Sequence, residues 1–256
     1  MKRMIIIMML FLPYFHISAQ LPDADEIMDR GRELTLMGSL NANVNLLITE
    51  KNGATRNRTI AMTTKSYPGG LEKRLIRFLE PADVRGTSML VIDNKDKPDE
   101  MWIYLPALKK TRRIVSSEKG KSFMSSEFSN ADMSTPALSD FSNKHTANSG
   151  LADYWIIESI PVNDNVADEY GFSKKVSHIK KENYLVTKME YYNFDDELFK
   201  TIEVRSYYPL SNGKYTIEDM AAINHSNGRK SEIQFTNLKE NVEIDDSFFT
   251  IANLER

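Results

Sequence analysis

The 256-residue chain has no cysteine. That excludes a disulfide framework and lipid attachment through an N-terminal cysteine, so burial and hydrogen bonds must hold the fold. Only four histidines are present. His16 lies in the apolar leader, His145 in a loop-like region, His178 among charged neighbours and His225 beside a turn. None has a second ligand at metal spacing, which argues against zinc. There is no Gly-x-Ser-x-Gly elbow and no phosphate-cradling glycine loop. Low-complexity tracts and short-period repeats are missing as well.

Long apolar runs are also lacking. Met4 to Ile17 is apolar but broken by Pro13, and it is shorter than the roughly 20 residues a membrane helix needs. Lys2 and Arg3 precede it, and Ile17-Ser18-Ala19 follows with a small residue before Gln20. This is the pattern of a secretory signal peptide over residues 1–19, giving a periplasmic, soluble mature chain; the competing reading is a short membrane anchor that stays attached. From Gln20 onward, 31 basic residues face 36 acidic ones. A mildly acidic protein is a poor nonspecific binder of nucleic acid, so none is expected as a partner.

What is there is mostly strand. Asp23 and Glu26 form a capping box for a helix carrying Ile27, Arg30, Leu34 and Met37, with Gly38 as its expected stop. Period-two alternation then takes over, with Leu40, Ala42, Val44, Leu46 and Ile48 on one face and Asn41, Asn43 and Asn45 on the other. Strand-like runs follow near 55–66, 72–80, 87–93, 100–105 and 111–116. They resume near 152–160, 173–180, 185–193, 198–208, 214–224 and 229–238. Turns such as Lys51-Asn52-Gly53 and Ser226-Asn227-Gly228-Arg229 join them. Short connections imply an antiparallel meander, and a sheet of that many strands curls. The expected fold is mainly β: a strongly curved antiparallel sheet or incomplete barrel in a single domain, 20–256. A transmembrane barrel does not fit, because in 214–224 Lys214 and Glu218 stand on one face and Asp219 on the other.

Residues 116–150 break the rhythm. They are too long for a structureless loop and carry Phe123, Met124, Phe128, Met133, Leu138 and Phe141. They read as a lid with one or two short helices, Thr135-Pro136 serving as a helix start; the competing reading is a disordered surface loop. The central strands meanwhile are apolar on both sides. Leu90, Ile92, Trp102, Tyr104, Trp155 and Ile157 are candidates to line a cavity; for the aromatics the competing reading is ordinary core. Lys109, Lys110, Arg112 and Arg113 crowd one hairpin. They either steer the rim to an acidic partner or anionic headgroups, or keep a sheet margin soluble. Asp195-Asp196-Glu197 and Asp245-Asp246 resemble catalytic carboxylate pairs but sit where turns and caps need them. No catalytic residue, cofactor or metal is expected.

"RFLEPADVRGTSMLVID", "MWIYLPALKKTRRI" and "GKSFMSSEFSNADM" resemble the outer-membrane lipoprotein-sorting protein family, relatives of the LolA and LolB carriers. "KKENYLVTKMEYYNFDDELFKTIEV" and "DDSFFTIANLER" extend the likeness over nearly all of the mature chain. The resemblance implies an open β-barrel whose apolar concave side is closed by helices. It also implies a monomeric carrier of lipid or acylated lipoprotein that works between membrane-associated donor and acceptor proteins. An accessory module that docks onto an envelope exporter without carrying lipid remains the alternative.

Overall fold

The computed structural model describes residues 21–94, 98–147 and 153–256. The expected signal peptide lies outside the described residues. Asp23 caps α1 (Ala24–Leu34), its carboxylate accepting from the Asp25 N–H at 2.8 Å and the Glu26 N–H at 3.3 Å. The helix ends at Thr35, not at Gly38. The Thr35 hydroxyl donates back to the Gly31 and Arg32 carbonyls at 3.1 Å each, satisfying end groups that a glycine cap would otherwise serve. Gly38, with φ of +75°, turns the chain into the first strand instead.

Six strands follow: β1 (Leu40–Thr49), β2 (Thr55–Ser66), β3 (Glu72–Glu80), β4 (Ser88–Asp93), β5 (Glu100–Leu105) and β6 (Lys110–Ile114). After a long insert come β7 (Phe141–His145), β8 (Tyr154–Pro161), β9 (Lys174–Lys180) and β10 (Val186–Tyr192). The last three are β11 (Leu198–Pro209), β12 (Tyr215–Asn224) and β13 (Lys230–Glu240). All thirteen form one antiparallel sheet in the order β6-β5-β4-β3-β2-β1-β13-β12-β11-β10-β9-β8-β7. The first and last strands therefore pair at the centre, and the middle of the sequence supplies both edges. The edges β6 and β7 do not pair, so the sheet stays open.

The sheet curls, as its contacts with the insert require. Asp132 reaches Lys200 on β11, while the next residue, Met133, offers its carbonyl to Arg74 on β3. Those strands are five spacings apart, about 24 Å if the sheet were flat. Two adjacent residues touch both only because the strands bend around them. The face that meets the insert is thus the concave one. It carries the main core, including Val44, Ile60, Ile76, Met89, Met101, Ile202 and Ile233.

The insert departs from expectation in detail. Among its described residues it has no α-helix and folds as four single 3₁₀ turns: Ser116–Glu118, Phe123–Ser125, Ala131–Met133 and Leu138–Asp140. Pro136 starts none of them. Serine and asparagine side chains compete for the backbone here, as when Ser126 donates to the Phe123 carbonyl at 2.7 Å, and that disfavours a continuous helix. The insert's last part is β7, which the apolar content alone did not reveal. A second helix, α2 (Asp164–Tyr170), also went unforeseen between β8 and β9. Gly120 lets the insert press against it: a Cβ there would sit 2.9 Å from the Tyr170 carbonyl.

The convex side explains why β4 and β5 are apolar on both faces. Leu75, Leu90, Ile92, Trp102 and Tyr104 form a row on that side. Ile244, Phe248, Phe249 and Leu254 cover them; Leu254 belongs to the C-terminal α3 (Ile251–Leu254). Arg77 fastens the cover by donating to the Asn253 carbonyl at 2.6 Å. The cover is the chain's own C-terminus.

Candidate functional site

Two apolar cavities lie side by side on the concave face. The first, about 840 Å³ including the part open to solvent, is bounded by Val44, Ile60, Met62 and Ile76 on the sheet and by Phe123 and Met133 of the insert. The second, about 940 Å³ on the same measure, lies between α1 and strands β8–β12, with Ile27, Ile179, Met189 and Val204 in its walls. Thr35, Thr135 and Ile217 border both. Straight-chain Met and small Thr and Ser at these positions leave space that larger or branched side chains would fill.

The insert is fastened over the first cavity by inward-pointing cations. Arg58 on β2 donates to the Met124 carbonyl and Arg74 on β3 to that of Met133. Arg229 donates to the Ser125 carbonyl at 2.8 Å and pairs with Glu127 at 2.8 Å. Lys200 pairs with Asp132 at 2.8 Å. Burial works against the Asp132 carboxylate, but Lys200 and Ser129 outweigh it and hold it below the usual carboxylate range. Arg74 also binds Glu72 and lies 3.6 Å from Asp93. Burial pushes the Asp93 carboxyl up to about 8 despite the pull of Arg74. Arg58, Arg74 and Lys200 sit on strand positions in phase with the buried face, so the sheet's own pleat delivers them to the insert, and Arg229 reaches it from just before β13.

The second cavity is different. Arg32 of α1 and Lys175 of β9 are among its walls, together with Ser159, Ser177 and Asn143, and among the described residues no carboxylate lines it. Burial pushes the Lys175 ammonium down to about 8, with Asp132 opposing.

The sequence-derived candidates divide among three places. Leu90, Ile92, Trp102 and Tyr104 do not line either cavity; they are on the convex face beneath the C-terminal segment. The opposite face of the same strands, Met89, Val91, Met101 and Ile103, belongs to the main core and lines neither cavity. Trp155 and Ile157 are on the concave side yet form the packing under α1, with the Trp155 ring 4.8 Å from that of Tyr184. A Cβ on Gly31 would meet the Tyr184 carbonyl at 2.8 Å, so that glycine is what lets α1 lie so close. In the insert, Phe123 and Met133 border the first cavity, and Leu138 and Phe141 the second. Phe128 is fully buried in the main core, and Met124 packs against that core. Lys110, Arg112 and Arg113 sit on the open edge strand β6, and Lys109, at φ +48°, turns the chain into it. Arg112 pairs with Glu118 at 2.6 Å; Lys109, Lys110 and Arg113 form no ion pair among the described residues.

Sequence reasoning missed Arg32, Arg58, Arg74, Asp132 and Lys175. The available signal was a charged residue in phase with the buried side of a strand, as Arg74 is with Ile76. Among the described residues no cluster of histidine, cysteine and carboxylates is set to hold a metal, and no helix is long and apolar enough to cross a membrane.

An open antiparallel sheet with a strapped, partly empty concave face defines a LolA-like fold. Solved structures agree. A "putative outer membrane lipoprotein-sorting protein domain" from Vibrio parahaemolyticus superposes with a TM-score of 0.82 at 26% identity, covering 91% of this chain and 98% of that one. A DUF1329 family protein from Desulfovibrio piger gives 0.80 at 26% identity, covering 90% and 97%. A LolA superfamily protein from Nitrosomonas europaea gives 0.70 at 17% identity, covering 91% and 100%, a likeness of fold alone. No curated protein matches. The family model described as "-like: Uncharacterized protein" matches residues 70–256, and the chain belongs to that family.

Proposed function

We propose that the mature protein is a periplasmic carrier that shields acyl chains in the concave cavities and hands them to an acceptor. The observation that supports this reading most is the pair of adjoining apolar cavities that the chain's own side chains leave partly empty. Each methylene moved into such a space is worth about 0.8 kcal/mol. A bound chain therefore leaves for water slowly and transfers readily only to a competing apolar site. The insert would be the moving part. Its contacts with the sheet combine apolar burial with ion pairs, which a docking partner can exchange for its own. The fold carries its chemistry in binding, and the reading assigns no catalytic residue.

A second reading, a non-carrier module docking onto an envelope exporter, draws on the β6 edge. There Lys109, Lys110 and Arg113 stand unpaired among the described residues, beside the exposed Leu108 and Val115. Such an edge also suits the donor or acceptor of a carrier. Native mass spectrometry and organic extraction of the purified mature protein separate the two. The carrier reading expects copurifying amphiphile and uptake of a fluorescent fatty acid. A clean apo mass with no uptake favours the docking module.

A further inference from the structure

We infer that the cavity beneath α1 takes an amphiphile whose headgroup is anionic, with Arg32 and Lys175 receiving the charge. This rests on the carrier reading and specifies its ligand class. Arg32 is only 8% exposed, and its Nε and Nη2 groups are buried without a hydrogen-bond partner. A buried guanidinium with unmet donors is expensive to keep, because those N–H groups have lost water and gained nothing. Arg32 forms no ion pair among the described residues. Its charge is felt at Asp99, but that carboxylate accepts from the Asn94 N–H at 2.9 Å and is not among the cavity's walls. The helix's own Asp29 and Glu33 line an open groove that Arg32 also borders, outside the cavity.

Lys175 is the second surplus cation. Its ammonium nitrogen lies over the Phe141 ring, 5.2 Å from the centroid. Asp132, the acid that faces it, is already held by Lys200 at 2.8 Å and by the Ser129 N–H at 2.7 Å. Two cations, the hydroxyls of Ser159 and Ser177, and the Asn143 amide thus share a cavity whose remaining walls are mostly apolar. A carboxylate or phosphate on an acyl chain satisfies both parts at once: the chain fills the apolar space and the anion takes charge-assisted hydrogen bonds. A neutral lipid would leave the guanidinium unpaired.

The test uses the mature protein and displacement of a bound apolar fluorophore. The competitors are laurate, dodecyl phosphate and dodecanol, with acetate and inorganic phosphate as chainless controls. We expect laurate and dodecyl phosphate to bind about tenfold or more tightly than dodecanol, and the chainless anions to compete poorly. Arg32→Gln with Lys175→Gln is expected to abolish that preference while leaving dodecanol binding within about twofold. A preference for phosphate over carboxylate identifies a phospholipid-type head; equal binding of both identifies any anionic head. Equal affinity of wild type for laurate and dodecanol overturns this inference and leaves the carrier reading standing. Tight binding of inorganic phosphate alone overturns it too, as a free-anion site. If no competitor of any kind binds, the carrier reading itself fails. Circular dichroism of the double variant guards against misfolding; should it unfold, Arg32→Lys, which keeps charge but loses the fork, is expected to weaken laurate and spare dodecanol.

Discussion

In the cavity against β1–β3 the buried cation is paired: Arg74 meets Glu72, Asp93 and the Met133 carbonyl, and only its Nε lacks a hydrogen-bond partner. In the cavity against β8–β12, Arg32 has two buried donors unmet, and Lys175 meets the Phe141 ring and faces an Asp132 already held by Lys200. Both cavities share one sheet face and the walls Thr35, Thr135 and Ile217. The difference teaches that the same residue types do two jobs here. Charges that find protein partners tie the insert down, and charges that do not are left for a ligand.

The contrast breaks first at Arg74. Arg74→Ala should destabilise by about 3–5 kcal/mol, since it strands buried carboxylates. Arg32→Met should change stability by less than about 1 kcal/mol, or raise it, because no partner is orphaned. Urea unfolding of the two variants measures this, and equal losses would erase the distinction. Next comes the comparison of faces. Leu90→Ala should cost about 3 kcal/mol on the convex side yet leave fatty-acid uptake unchanged. Ile217→Trp, in the shared wall, should cut uptake about tenfold, and because it fills existing space it should cost no more than about 1–2 kcal/mol.

Asp93 gives a pH signature. Its folded-state pKa is raised to about 8, above the unfolded value, so between those values the native state holds the extra proton. Stability should therefore fall as pH rises from 6 to 8, at no more than about 1.4 kcal/mol per unit. Asp93→Asn should flatten that slope; an unchanged slope would place the titration elsewhere. The smallest effect belongs to the open edge. Reversing Lys109, Lys110 and Arg113 to Glu should shift stability by no more than about 0.5 kcal/mol, yet abolish any salt-sensitive association with anionic vesicles.

The sheet was legible in the residues because period-two alternation and Asn-Gly turns are local. Every expected strand run is present, and only β7, five residues of mixed character after a proline-containing stretch, escaped. The cavity's position was not legible. Alternation in "MWIYL" separates Met101 and Ile103 from Trp102 and Tyr104, but it does not say which set faces inward. That is decided by Phe249 and Leu254, about 150 residues downstream, which lie over the Trp102 side. The large aromatics fitted either a cavity wall or ordinary core, and they sit in packed clusters. The smaller Met, Thr and Ser positions of β2, β9 and β12, which drew no attention, border the empty space. Arg32 looked like one more polar residue on an amphipathic helix, since its burial depends on where α1 docks.

The chain's two tryptophans stand on opposite faces, Trp102 under the C-terminal segment and Trp155 under α1 beside the second cavity. Single-tryptophan variants, Trp102→Phe and Trp155→Phe, titrated with a fatty acid brominated along its chain, report which face the chain enters. Quenching of Trp155 with Trp102 left bright is the predicted result. Quenching of Trp102 alone, or of neither, would contradict a carrier that loads through its concave face.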